Sequence, residues 1–513
     1  MLGVQQIATA FFAVLITMGS ATAAKDIKSK KNPNIIILYA DDFGYGDPQC
    51  YNPNSKIPTP TLDKLASEGV RFTDGHSSSG ICTPSRYALL TGRYHWRDFH
   101  SIANVFDPSM FKHKQLSIAE MLKTKGYHTA AIGKWHLGWD WNAIKKPGVG
   151  HKKIYTSNDF DWSRPILGGP LSHGFDYYFG DDVINFPPYG WIKNDKLVKA
   201  PNSMSNPKKW KKIKEGAWEC RPGPMCADWD PYQNLPTITR KAVEYINTQK
   251  DNPHPFFLYL AFPSTHAPII PSDKFDNTSK AGPYGDYAVQ MDDACHQVLT
   301  ALKNIGKENN TIVIFSTDNG SEHYAYLRDL KYNHWSSFPF RGVKRDIYEG
   351  GHHVPLIIKW PGQIKPGRVS NALVCQVDIM ATLAHITGAQ LPTEHAAEDS
   401  FDMLPLLLGK TDTLRTSLVH NTFKNKYAIR YKQWVLINSK SGYSSKCHPK
   451  WTKKHHYAPD DKQAVELYNL NSDIGQHYNV ANEHPEVVKH LQSILKNIRE
   501  IPHSSPRYNP PPQ

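Results

Sequence analysis

Short unbroken apolar runs alternate along the chain with stretches whose apolar residues recur three or four positions apart. The pattern predicts a buried strand at "NIIILYADD" (34–42), a capped helix at "TPTLDKLASEGVRF" (59–72), a helix at "SIAEMLKTKGY" (117–127) and a strand at "HTAAIGKWHLG" (128–138). It continues with strands at "FFLYLAFPSTH" (256–266), "TIVIFSTDNG" (311–320) and "VPLIIKWPG" (354–362), and a long helix at "YGDYAVQMDDACHQVLTALKNIG" (284–306). All-apolar strands alternating with helices specify an α/β fold, a large and mostly parallel sheet sandwiched by helices on both faces. The Pro-, Gly-, Trp- and Lys-rich segment from about 140 to 235 reads as long loops. Beyond 410, "YAIRYKQWVLINS" and "VELYNLNSDIGQHYNVA" followed by "PEVVKHLQSILKNIRE" predict a smaller C-terminal antiparallel sheet plus one helix. The expected organisation is therefore a leader at 1–23, an α/β domain at 24–410, and an α+β subdomain at 411–513 ending in a disordered tail, "SSPRYNPPPQ".

The leader reading rests on an apolar run closed by Ala21-Thr22-Ala23, an A-x-A cleavage pattern, although only the α-amine supplies n-region charge. The run is short for a membrane span, and no later segment is long and apolar enough to cross a bilayer, so no stable membrane insertion is expected. Export implies a secreted, periplasmic or lysosomal protein. The formal charge of +13 favours anionic partners, and Lys208, Lys209, Lys211, Lys212 and Lys214 form its densest cluster, equally readable as a solvated loop. No nucleic-acid motif accompanies that charge. Seven cysteines (50, 82, 220, 226, 295, 375 and 447) are an odd number for an oxidising compartment, and Cys220 and Cys226 are near enough to close a local loop.

In "ICTPSRYALLTGR" (81–93), Pro84 suits a first helical position and Gly92 a helix stop. Cys82 would then sit just before the helix, beside free amide donors, with Arg86 able to reach back toward it. Hard oxygen ligands end two of the predicted strands. Asp41 and Asp42 follow "NIIILYA", while Asp318 and Asn319 follow "TIVIFST". Three carboxylates and an amide suit one Ca²⁺, with Mg²⁺ second, rather than a soft metal. Lys134 and His136 share one strand face, His266 follows another strand, and Lys344 lies in "FRGVKRDIYEGG". Together they would make a pocket for a tetrahedral oxyanion, as sulfuryl or phosphoryl transfer demands.

Cys82-Thr83-Pro84-Ser85-Arg86, with Leu90-Thr91-Gly92-Arg93, resembles the C-x-P-S-R…L-T-G-R signature of the type I, formylglycine-dependent sulfatases, arylsulfatase-like members of the alkaline-phosphatase superfamily. "ADDFGYGD", "GKWHLG", "HGFDYYFG", "STDNG" and "RGVKRDIYEGGHHVPLIIKWPG" extend the resemblance in order over most of the chain. It implies an alkaline-phosphatase-like fold and oxidation of Cys82 to formylglycine by a separate maturation enzyme. In the hydrated aldehyde, one hydroxyl would attack sulfur and the other would later expel sulfate. Asp41, Asp42, Asp318 and Asn319 would bind Ca²⁺ together with residue 82. Arg86 would fix the diol, Lys134 and Lys344 would hold sulfate oxygens, His136 would deprotonate the diol, and His266 would protonate the leaving alcohol.

The sequence departs from the family pattern at Val343, commonly Gly, and at His353 within Glu349-Gly350-Gly351-His352-His353-Val354-Pro355, where Arg is usual. The His352-His353 pair invites a zinc reading, but no Cys or His at suitable spacing supports it, nor does one beside His455-His456. Two rival functions remain. A phosphatase or phosphonate hydrolase of the same superfamily would usually show D-H where this chain has Asp318-Asn319, and an exported polyanion-binding protein would result if Cys82 stayed a thiol. The substrate expected is a sulfated carbohydrate or an aryl sulfate. The resemblance leans toward 6-O-sulfated galactose-type sugars; His95, Trp96, Arg97, His100, Trp139 and Trp141 are candidate rim residues, each of which reads as readily as a side chain packed under loops.

Overall fold

Strand β1 (Asn34–Ala40) is buried at every position because helices cover both faces of the sheet it centres. In the computed structural model, residues 32–112, 114–423, 425–457 and 463–508 are described; the predicted leader lies outside them. The main sheet contains β1, β2 (Val70–Phe72), β3 (His128–Lys134), β4 (Tyr177–Asp182), β5 (Phe256–Ala261), β6 (Thr311–Thr317), β7 (Leu356–Lys359) and β8 (Arg368–Ser370). Their spatial order is β8-β2-β7-β6-β1-β5-β3-β4, extended past β4 by two short strands in 192–197. Among these eight, β7 alone runs antiparallel to its neighbours. The mostly parallel α/β sheet is thus as the apolar runs predict.

Each face of β1 feeds a different layer. Ile36, Leu38 and Ala40 pack with α1 (Pro60–Ser67), α3 (Asn234–Thr248) and α4 (Gly282–Asn304) through Leu62, Ile238, Met291 and Val298. On the other face Tyr39 lies beneath Arg86 of α2 (Cys82–Thr91), 5.2 Å from ring centre to guanidinium carbon. The helix Ile118–Lys123 starts on a capping box, with Ser117 accepting from Glu120 N–H and Glu120 accepting from Ser117 N–H.

Three expectations need correction. The 140–235 segment is not all loop: "YYFGDD" forms β4, a short aromatic strand paired with β3. Its two aspartates, Asp181 buried and Asp182 half-buried, mask the strand signal, since acidic residues are rare in sheets. The tail is ordered through Tyr508, because Ser504 Oγ donates to Asp399 and the Arg507 and Tyr508 side chains donate to Ala396 O. Finally, Cys220 and Cys226 are not bonded to each other. Each donates to a carbonyl instead, of Trp218 and Lys199 respectively.

The C-terminal sheet is antiparallel, β9 (Ser417–Asn421), β10 (Tyr427–Tyr431), β11 (Trp434–Ile437) and β12 (Glu466–Asn469) in sequence order. Helix α5 (Pro485–Glu500) docks on it through Leu491 and Leu495, which join Leu418, Ile429 and Leu436 in one core. The same core includes Ala88 of α2, so Pro33 onward forms one compact unit. No helix among the described residues is long and apolar enough to cross a membrane. Leu491 is fully buried. Leu491→Ala should therefore cost about 2–5 kcal/mol, read as a lower unfolding midpoint in denaturant with the catalytic constants unchanged.

Candidate active site

Four neighbouring parallel strands, β6, β1, β5 and β3, end on the same edge, and each delivers polar residues there. Open α/β sheets bind ligands beyond these carboxyl ends. Asp41 and Asp42 follow β1, Asp318 and Asn319 follow β6, Lys134 closes β3 with His136 just beyond, and His266 lies past β5. All are buried. Gly133 has φ +99°, and a Cβ there would meet Ala261 O at 1.9 Å, so only glycine lets β3 approach β5 immediately before Lys134.

Helix α2 supplies Cys82 and Arg86 from the opposite side. The helix begins two residues earlier than Pro84 suggests: Cys82 is its first residue, Ile81 its extended N-cap, and Pro84 its third residue. A proline is tolerated there because the first-turn N–H groups have no intrahelical partner. Gly92 ends the helix in the left-handed conformation, as expected. Arg86 is wholly buried and donates from Nε (3.1 Å) and Nη2 (2.8 Å) to Asp318 Oδ2, and from Nη1 to Tyr259 Oη at 3.2 Å.

The cations are paired with acids. Lys134 Nζ donates to Asp41 Oδ2 at 2.6 Å, and Lys344 Nζ to Asp42 Oδ2 at 2.8 Å. Asn319 Nδ2 donates to Asp42 Oδ1 at 2.7 Å. Asp42 and His136 have left-handed backbones, φ 61° and 55°. Such strain costs about 1–3 kcal/mol per residue and clusters at functional sites. In each, the N–H is held by a carboxylate, Asp318 Oδ1 for Asp42 and Asp182 Oδ1 for His136.

Burial pushes Asp41, Asp42 and Asp318 above the usual carboxylate range despite these cations. The site therefore favours more positive charge. Two buried oxygens, Asp41 Oδ1 and Asn319 Oδ1, accept no hydrogen bond. Asn319 spends its donor on Asp42, so its bare oxygen is the acceptor a hard cation needs. These donors fit a divalent cation held by Asp41, Asp42, Asp318 and Asn319. Burial would lower the Lys344 pKa, but Asp42, Cys82 and Glu322 outweigh it and keep the ammonium charged. Burial, with Lys134 next, holds His136 neutral; burial, with Lys344 and Lys134, does the same for His266.

Two site residues carried no sequence signal. Glu322 lies 3.7 Å from Lys344 Nζ and accepts from Arg345 Nη1 at 2.6 Å. Arg345, with a side chain 32% exposed, is the guanidinium at the mouth of the site. Their pairing spans the β6–β7 connection and has no local pattern. The expected rim residues are elsewhere. Trp139 and Trp141 are buried against Tyr178 and Phe106. His95 and His100 each meet Asn421 Oδ1 at 3.1 Å, Trp96 stacks on Tyr94, and Arg97 pairs with Asp399 at 2.6 Å. These residues tie α2 to the C-terminal sheet. Of the basic cluster, Lys211 pairs with Asp273 at 3.5 Å and Lys214 with both Asp273 and Asp276.

The site's stability rests on Arg86. Arg86→Met would leave Asp318 buried without its donors, so a loss of about 3–5 kcal/mol is expected, measured as a shift in the urea unfolding midpoint.

Comparison with known proteins agrees with this geometry. A family profile described as Sulfatase matches residues 33–389, and one described as N-sulphoglucosamine sulphohydrolase, C-terminal, matches residues 342–501. An N-acetylgalactosamine-6-O-sulfatase of Bacteroides thetaiotaomicron is 32% identical over 508 residues, covering 92% of this chain and 94% of that protein. Arylsulfatase A of Homo sapiens is 32% identical over 491 residues, covering 90% of this chain and 87% of that one. A solved sulfatase structure from a glycosaminoglycan-metabolism locus of Bacteroides thetaiotaomicron is 31% identical, with a TM-score of 0.78, covering 92% of this chain and all of that one.

Proposed function

The chain belongs to the sulfatase family, a sulfuric ester hydrolase, and we propose that it removes 6-O-sulfate from N-acetylgalactosamine-type sugars of sulfated glycans. One observation carries the reaction: Asp41, Asp42, Asp318 and Asn319 converge with Lys134 and Lys344 on one buried edge. Cys82 lies within electrostatic reach of Asp42 and Lys344. The sugar and the sulfate position follow the Bacteroides relative, which matches nearly the full length.

In this reading Asp41, Asp42, Asp318 and Asn319 hold Ca²⁺, for which a flexible oxygen set is apt; Mg²⁺ would demand stricter octahedral geometry. When bound, the cation polarises a sulfate oxygen and offsets the anionic charge around it. Cys82, converted to formylglycine by a separate maturation enzyme, supplies as its hydrate the hydroxyl that attacks sulfur and the hydroxyl that later releases sulfate. Lys134 and Lys344 hold the sulfate oxygens as negative charge moves onto them.

His136 is set up as a base. Its Nε2–H donates to Ala103 O at 3.0 Å, so Nδ1 keeps its lone pair, and that atom is buried without a partner. Proton acceptance there activates the residue 82 hydroxyl. His266 donates Nδ1–H to Ala267 O and places Nε2 3.8 Å from Asp42 Oδ2. An anionic ester between the lysines offsets the charges that keep His266 neutral. A proton gained on Nε2 can then pass to the leaving alcohol oxygen. Arg345, at the mouth and held by Glu322, is placed to meet an anionic group on the sugar.

Two measurements test this function. Mass spectrometry of the Cys82 peptide from active protein should show an aldehyde in place of the thiol. Cys82→Ala should lower kcat at least about 10³-fold, the order of a lost nucleophile, with the unfolding midpoint unchanged. On a panel, 6-O-sulfated N-acetylgalactosamine should be turned over faster than its 4-O isomer, aryl sulfate or aryl phosphate. Preference for aryl phosphate would overturn the sulfatase reading for this site, and preference for the 4-O isomer would overturn the regiochemistry.

A further inference from the structure

Away from the active site, three histidines from distant parts of the chain meet in the interior. His76 lies in the short strand Gly75–His76, His352 ends the short helix Glu349–His352, and His420 is on β9. All three are at most 1% exposed. One ring nitrogen from each lies within 4.8 Å of the others.

Their hydrogen bonds determine where the lone pairs point. His76 Nε2 meets Asp74 Oδ1 at 2.8 Å, and His352 Nε2 meets Ile347 O at 3.1 Å. A carboxylate and a carbonyl only accept, so both Nε2 atoms carry the proton and both Nδ1 atoms keep lone pairs. These two Nδ1 atoms face each other at 3.3 Å. Two lone pairs at that separation repel unless a cation lies between them. The spacing suits a metal: two nitrogens at about 2.0–2.1 Å from a tetrahedral zinc ion are about 3.3 Å apart.

His420 adds a third donor. Both its ring nitrogens are buried and unpartnered, so no hydrogen bond fixes its ring and either nitrogen can turn to the shared point. Its ring stacks on His352 at 3.6 Å between centroids. Asp74 orients His76 as carboxylates orient metal-binding histidines, and Arg430 approaches its other oxygen at 3.4 Å. Glu349 Oε1 is buried with no donor, while Oε2 meets His353 Nδ1 at 2.9 Å. His353 Nε2 is taken by Thr73 O, which leaves His353 no nitrogen to offer.

We propose that His76, His352 and His420 form a structural site for a borderline divalent ion, zinc foremost, separate from the oxygen-ligand active site. Imidazole donors select zinc over calcium, and with three protein ligands the fourth position falls to water. The ion would cross-link β9 of the C-terminal sheet to the segment that carries Lys344. A cation bound only by the folded chain raises its stability by mass action.

The experiment uses untagged full-length protein, stripped with chelator and titrated with Zn²⁺ and Co²⁺. One equivalent of Co²⁺ should give the visible absorption of a tetrahedral nitrogen site, and Zn²⁺ should displace it and raise the thermal midpoint. His352→Ala and His420→Ala should lose both responses, while Asp42→Ala should keep them. The proposal fails if the wild-type protein takes up neither ion stoichiometrically, or if the histidine variants respond as wild type does and Asp42→Ala does not. Should the alanine variants not fold, His420→Gln and the wild-type cobalt spectrum decide: an octahedral or absent spectrum overturns the site. None of these readouts depends on sulfatase turnover.

Discussion

Burial of Asp41, Asp42 and Asp318 at the ends of two adjacent strands is the constraint on which the remaining structure depends. A carboxylate taken out of water needs compensating charge or it takes a proton. Arg86, Lys134 and Lys344 supply that charge, and each comes from a different element: α2, β3 and the β6–β7 connection. The acids therefore do more than wait for a cation. They fix the depth of α2 against the sheet, and so the place of Cys82, through the two hydrogen bonds from Arg86 to Asp318. Burial keeps the carboxylate basicities raised even after this compensation, which suits a further cation beside them. A polyanion-binding surface would show an excess of exposed cations; here the cations are buried and matched by acids.

Much of this site was legible because its chemistry sits beside a strong local pattern. Asp41-Asp42 and Asp318-Asn319 directly end strands that are apolar throughout, so their shared edge follows from a parallel sheet. Lys134 and His136 were placed by the same logic, although His136 leaves the strand on a left-handed backbone rather than continuing it. The resemblance in "CTPSR" supplied roles that spacing alone could not. The helix boundary shifted because proline at the third position is as acceptable as at the first.

What the sequence hid was set by tertiary contact. Tyr259 points from the middle of an apolar strand and reads as core, yet its hydroxyl accepts from Arg86. Glu322 and Arg345 look like ordinary loop charges until the fold pairs them. The ordered residues 504–508 have the composition of a tail, and what holds them is a set of donors to carbonyls of residues 396–400. His352-His353 failed as a zinc motif because its partners are not local. His76 lies in the short strand Gly75–His76 and His420 on β9, hundreds of residues apart, and no spacing rule spans such separations. His353, where the family usually has Arg, pairs with Glu349 and so keeps an acid–base contact at that position.

The segment from Arg341 to His353 connects these observations physically. Its middle delivers Lys344 to Asp42, and its backbone is tied on both sides: Lys344 N–H donates to Ser321 O, Arg345 N–H to Gly80 O, and Ser77 N–H to His352 O. Gly80 and Ser77 lie in the loop that leads into α2, so the lysine and residue 82 share one backbone framework. His352 closes that framework from below, against His76 and His420. The histidine cluster is thus joined to the segment that carries Lys344 by short covalent and hydrogen-bonded paths. Lys344 itself is fixed by its ammonium on Asp42 and its N–H on Ser321 O.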